Sequence, residues 1–326
     1  MSRTPTMLVA LTTASLSVAA CNDSVAPNGS TAHIPRLNMA IENSSDWSPP
    51  QNLGPVLNIS GFNTRNAAIS RNGKSLYFGS DRPGGAGALD IYVSHRRNPN
   101  APWGPPTNLG LVINTGLVDN NPYPTPDGHH LYFTSSRPGG SGGPDLWVTH
   151  RDDVHDDAGW KQPTNLGSTI NTPFQDSGPV YFVDPATGGA MIFFSSTRPG
   201  GQGSADFYMS TLGSDGAWGP GVIIPELNTP FDDNKLAVRA DGLELFLSSN
   251  RPGGGQDAMG FNIWVSTRAT TQDAWALPVL AVESAGLPAI STNGKELYMV
   301  ARQPGSGIGG VPFKNDLYLS TRRGAP

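Results

Sequence analysis

One cysteine, five lysines and five glutamates are all that 326 residues contain of these types. The scarcity excludes several functions. The lysines do not cluster and the formal net charge is −5, so the counterion displacement behind non-specific nucleic-acid binding has no basic patch to work with. No His/Cys spacing suits a zinc site, so no metal is expected. His95, His129, His130, His150 and His155 lie beside turns or at strand ends, without a Ser or Cys partner. No segment sustains helical periodicity, so no glycine-rich loop leads from a strand into a helix and no phosphate cradle or nucleotide cofactor is expected. No catalytic constellation emerges.

The abundant residues are turn formers, 40 Gly and 30 Pro. They punctuate a unit that recurs five times. Trp47, Trp103, Trp160, Trp218 and Trp275 open the copies, 56, 57, 58 and 57 residues apart. An apolar strand follows each, centred on Tyr77, Tyr132, Phe193, Phe246 and Tyr298, positions that read as core. Next comes an Arg-Pro-Gly-Gly turn at Arg82, Arg137, Arg198 and Arg251, degraded in the fifth copy at Arg302. A further strand starts at Asp90, Asp145, Asp206, Asn262 and Asp316. Asn72-Gly73, Asp127-Gly128, Asp241-Gly242 and Asn293-Gly294 mark tight hairpins.

Short strands at this period predict an all-β fold, a five-bladed β-propeller with four antiparallel strands per blade. In the first copy the strands are expected at residues 67–70, 75–80, 90–95 and 103–109. The last copy ends without its fourth strand, and residues 47–53 precede the first copy. Pairing 47–53 with 316–320 closes the ring and removes two sheet edges. The pattern Ser70-Arg71-Asn72-Gly73-Lys74, then Ser80-Asp81-Arg82, then Asp90-Ile91-Tyr92-Val93 resembles the WD-like propeller repeats of bacterial envelope proteins, the TolB type among them. The resemblance covers residues 47–321 and implies the fold more than any one activity. No counterpart of a separate N-terminal TolB domain is seen.

Residues 1–20 have the shape of a secretory signal, and residues 7–20 are too short to span a membrane as a helix. Val18-Ala19-Ala20-Cys21 resembles a bacterial lipobox, so Cys21 is the expected lipidation site and residues 21–45 a polar tether to the propeller at 46–326. The expectation is a monomer held by a lipid anchor at the cell envelope, binding an envelope protein or a glycan.

Binding-face candidates come from the face where the Arg turns meet the connections between blades. They are Arg82, Arg137, Arg198, Arg251, Asn114, Asp119, Asn171, Asp176, Asn228 and Asp233. The competing reading, preferred because repetition is what architecture needs, is that each Arg locks onto an Asp of a neighbouring connection. It predicts Arg82 near Asp119, Arg137 near Asp176, Arg198 near Asp233, and Arg251 without a partner. The alternative class is a carbohydrate-active enzyme or lectin of the glycosidase or sialidase type. Of the chain's five glutamates, only Glu226 and Glu283 lie on these connections.

Overall fold

The computed structural model describes residues 1, 46–255, 260–303 and 314–322. The signal, Cys21, the tether with Glu42 and the rest of the degraded fifth turn lie outside the described residues. All sheets are antiparallel and four-stranded. The first holds β2 (Thr64–Ile69), β3 (Ser75–Ser80), β4 (Asp90–His95) and β5 (Thr107–Asn108). The second holds β6 (Asp119–Pro124), β7 (His130–Ser135), β8 (Asp145–His150) and β9 (Thr164–Asn165). The third holds β10 (Asp176–Val183), β11 (Ala190–Ser196), β12 (Asp206–Thr211) and β13 (Val222–Ile223). The fourth holds β14 (Asp233–Val238), β15 (Glu244–Ser249), β16 (Asn262–Thr267) and β17 (Val279–Val282). The fifth combines β18 (Gly286–Ile290), β19 (Glu296–Arg302) and β20 (Asn315–Thr321) with the N-terminal β1 (Gln51–Asn52).

The expected five-bladed ring and its closure are therefore observed. Gln51 pairs with Leu319 and Asn52 with Tyr318, and Trp47 bridges to Arg322. The innermost strands adjoin in the cyclic order β2, β6, β10, β14, β18 and back to β2. Strand alternation builds the core between blades. Leu76 and Phe78 of β3 face the fifth blade's Tyr298 and Val300, while the intervening Tyr77 packs with Leu131 and Phe133 of the second. Five such clusters fill the five interfaces. Each buried aromatic contributes roughly 1.5–3 kcal/mol.

The outer strands are shorter than expected. The segment read as 103–109 supplies only the two residues of β5, because Pro105 and Pro106 have no N–H for the ladder. Four of the five tryptophans lie under an Arg that follows the third strand, while Trp218, which bridges to Leu212, packs on Tyr132 and Tyr181. Arg96 stacks on Trp103 at 4.3 Å, Arg151 on Trp160 at 4.4 Å, Arg268 on Trp275 at 4.1 Å and Arg322 on Trp47 at 4.3 Å.

The Pro-Gly-Gly turns follow from space. Gly84 has φ +89, and a Cβ on Gly85 would stand 2.0 Å from Asp90 Oδ2. Asp90 caps the turn from within, accepting hydrogen bonds from the backbone N–H groups of Ala86 and Gly87.

Candidate functional site

The ten binding-face candidates are internal. Arg137, Arg198 and Arg251 each pair with an Asp, but with the one that opens their own blade. Nη2 lies 2.9 Å from Asp119, 2.7 Å from Asp176 and 2.6 Å from Asp233 respectively. This corrects the expected pairing by one blade. The register explains it: Asp119 faces Ser135 across the ladder, and Arg137 follows two residues later. Arg251 therefore does have a carboxylate, and Arg82 is the one without, because Thr64 holds that place. Arg82 donates to Leu57 O at 2.7 Å and to Ser80 Oγ at 3.0 Å. Each guanidinium also lies over at least one aromatic ring of its blade, as Arg137 does over Phe133 at 4.9 Å and Arg251 over Trp264 at 5.5 Å.

The asparagines pin the connections. Asn171 Oδ1 accepts from Leu146 N at 2.9 Å and its Nδ2 donates to Leu146 O at 3.0 Å. Asn114 does the same to Ile91, and Asn228 to Phe207. Asp119, Asp176 and Asp233 are fully buried and also take the backbone N–H and hydroxyl of Thr115, Thr172 and Thr229. Glu226 accepts from Trp275 N at 3.2 Å and Glu283 from Gly255 N at 3.1 Å, on separate connections. Among the described residues, no three His, Cys, Asp or Glu side chains could hold a metal ion.

The structure brings together a different set, on the inner strands. Each inner strand carries a register shift at its start. A residue near its start has positive φ, the third of β2, β6, β10 and β14 and the second of β18: Asn66 (55°), Asn121 (50°), Gly178 (67°), Lys235 (22°) and Leu287 (54°). Asn and Gly tolerate that region; Lys and Leu do not, and such strain costs about 1–3 kcal/mol. The bulge breaks the two-residue alternation, so consecutive residues of four strands line the channel: Arg65 with Asn66, Asn120 with Asn121, Ser177 with Gly178, Asn234 with Lys235.

The channel has two halves that share Lys235. The half toward the connections is polar, about 220 Å³. The half toward the hairpins is mainly apolar, about 290 Å³, and is walled by residues such as Ala67, Tyr123, Val180 and Leu236. No Asp or Glu lines either half among the described residues. In the polar half, Arg65 Nε, Asn66 Oδ1, Asn120 Oδ1 and Asn234 Oδ1 are buried without a hydrogen-bond partner. Lys235 is 6% exposed and belongs to no ion pair or hydrogen bond among the described residues. Burial, and then the Arg65 charge, pull its amine down to about 7. Burial also lowers Arg65, with Asp81 opposing. Phe174 and Phe231 are 43% and 41% exposed on the connections, and Gln175, next to Phe174, lines the polar half.

Sequence reading missed this set. The repeat Asn-Thr-x-x-x-Asp drew attention to its ends, although Phe174 and Phe231 lie inside it, and the inner-strand residues do not repeat.

No protein-family model and no curated protein sequence matches the chain. Solved structures do. An α-L-arabinofuranosidase from Lactobacillus brevis superposes with TM-score 0.56 at 13% identity, over 82% of this chain and 92% of that one. The α-L-arabinofuranosidase PaAbf62A from Podospora anserina, in complex with cellotriose, gives 0.52 at 13%, over 86% and 97%. TolB from Acinetobacter baumannii gives 0.45 at 15%, over 80% and 55%.

Proposed function

We propose that this propeller binds a saccharide in the polar half of its channel, as a lectin-like module. The observation that carries the reading is the lining itself, where Asn66, Asn120, Asn121, Gln175 and Asn234 surround one cavity. Sugar hydroxyls, which both donate and accept, suit a cavity lined by amides. Phe174 and Phe231 offer exposed rings for the apolar face of a sugar. At about 220 Å³ the polar half is smaller than sites for drug-sized ligands, so it takes a terminal or single unit rather than a buried chain. Propellers of this architecture acting on arabinofuranosides, and one holding cellotriose, support the ligand class.

Binding is favoured over hydrolysis because glycosidases place two carboxyl groups about 5–9.5 Å apart across the scissile bond. The channel lining presents none among the described residues. The lipobox-like residues 18–21 support export and anchoring through Cys21, which would present the channel at the envelope of a bacterium. The test is a glycan array followed by calorimetry on any ligand retained. Phe174→Ala with Phe231→Ala should weaken binding by tenfold or more without changing the melting temperature, since both rings are exposed. An array that retains no saccharide, neutral or acidic, would refute the reading.

A further inference from the structure

We propose that the saccharide is acidic, and that an anionic substituent on it, a carboxylate or a sulfate ester, is held by Lys235 with Arg65 beside it. This rests on the saccharide reading and names the ligand's chemistry. Two cations face one small cavity without a carboxylate in its lining. Ordered water cannot neutralise buried cations, and Asp81, outside the lining, acts on Arg65 and not on Lys235. The apolar half of the channel begins at the same lysine and keeps its surroundings low in dielectric.

Lys235 is also a poor choice on structural grounds. Its φ of 22° belongs to a conformation that Asn66, Asn121 and Gly178 hold with ease in the first three blades. Asparagine at position 235 would relieve both the strain and the desolvation. A residue that is costly twice over and pairs with nothing is explained by a ligand that pairs with it.

Its electrostatic surroundings are few. Arg65 faces it from β2 and is its one charged neighbour of consequence. Tyr123 of β6 is pushed up to about 12 by burial and stays neutral, as does Tyr181 of β10, which burial also raises. On β14 itself, Asp233 is occupied by Arg251 and Thr229. Gly286–Ile290 of β18 contributes no titratable side chain, and Arg71 lines only the hairpin end. The site is thus positive or neutral, never negative. An anion raises the lysine's pKa, so it takes up a proton where the free site has lost one. Affinity for an acidic ligand should be flat below about pH 7 and fall up to tenfold per unit above it, until the raised value of the complex is passed.

The experiment titrates the full chain with trigalacturonate, a sulfated galactan trisaccharide, the neutral galactotriose and inorganic sulfate. At least one acidic trisaccharide should bind ten or more times tighter than galactotriose. Lys235→Asn should remove that preference and its pH dependence while raising the urea midpoint. Lys235→Arg, which keeps the charge, should retain the preference and shift the pH dependence out of range. Equal affinity for neutral and acidic trisaccharides overturns the acidic assignment and leaves the saccharide reading standing. Sulfate binding through Lys235 with no trisaccharide bound overturns the saccharide reading itself. An unchanged preference in Lys235→Asn overturns the role of the lysine.

Discussion

Arg82 and Arg137 occupy the same place in successive blades, and only one of them has a carboxylate. That difference makes a controlled experiment. Both arginines donate through Nε to a serine of their own strand and through Nη2 to a connection carbonyl, Leu57 O or Ile113 O. Both lie over two rings, Arg82 at 5.0 and 4.9 Å and Arg137 at 4.9 and 5.4 Å. These terms cancel in a comparison. What remains is Asp119, whose side chain is fully buried and 2.9 Å from Arg137. Arg82→Ala strands a carbonyl, a loss of about 1–3 kcal/mol. Arg137→Ala strands a buried charge as well, and removing one partner of such a pair costs about 3–5 kcal/mol. The expected gap is about 2 kcal/mol. It is read as the shift in urea midpoint at constant slope. The double variant Arg137→Ala with Asp119→Thr, which copies the Thr64 of the first blade, should recover about 1–2 kcal/mol over Arg137→Ala alone, because no charge is left unpaired. Equal losses for Arg82→Ala and Arg137→Ala, or a double variant worse than the single, would show that stranded charge is not what the turn protects against.

Two further outcomes test the ring and its attachment. Deleting residues 1–54 removes β1 and Trp47, which packs edge-on against Phe246 at 6.0 Å, and should cost about 3–5 kcal/mol from the aromatic alone. Deleting residues 1–44 should leave the melting temperature within a degree or two, and matching melts for the two deletions would refute closure by the N-terminal strand. Palmitate-analogue labelling in a bacterial host should mark the wild type and not Cys21→Ser, and equal labelling of both would remove the proposed anchor.

The architecture was legible because it repeats. Trp spacing, Asn/Asp-Gly hairpins and the missing last strand gave the blade number and the closure, and the closing partner was named to within a few residues. The Arg–Asp locks were legible as a type of interaction but not as pairs. Turns and connections share one face, and nothing in a linear reading says whether an arginine meets the connection before its blade or the one after. The ladder decides: Asp176 faces Ser196, which stands two residues before Arg198.

The channel was not legible, for a reason that lies in the backbone. Alternation assigns one residue in two to each face of a strand, and the bulge at the start of every inner strand overrides it. Arg65 and Asn66 both face the channel, where period-two reading would send one of them into a blade interface. The column that carries positive φ runs Asn, Asn, Gly, Lys, Leu through the blades, so no repeat search singles it out. Residues that recur from blade to blade hold this ring together, the Arg137 type in four blades and the Asp119 type in three. Lys235 occurs once, in a conformation and an environment that the fold alone would reject, and that is where a ligand's contribution is to be sought.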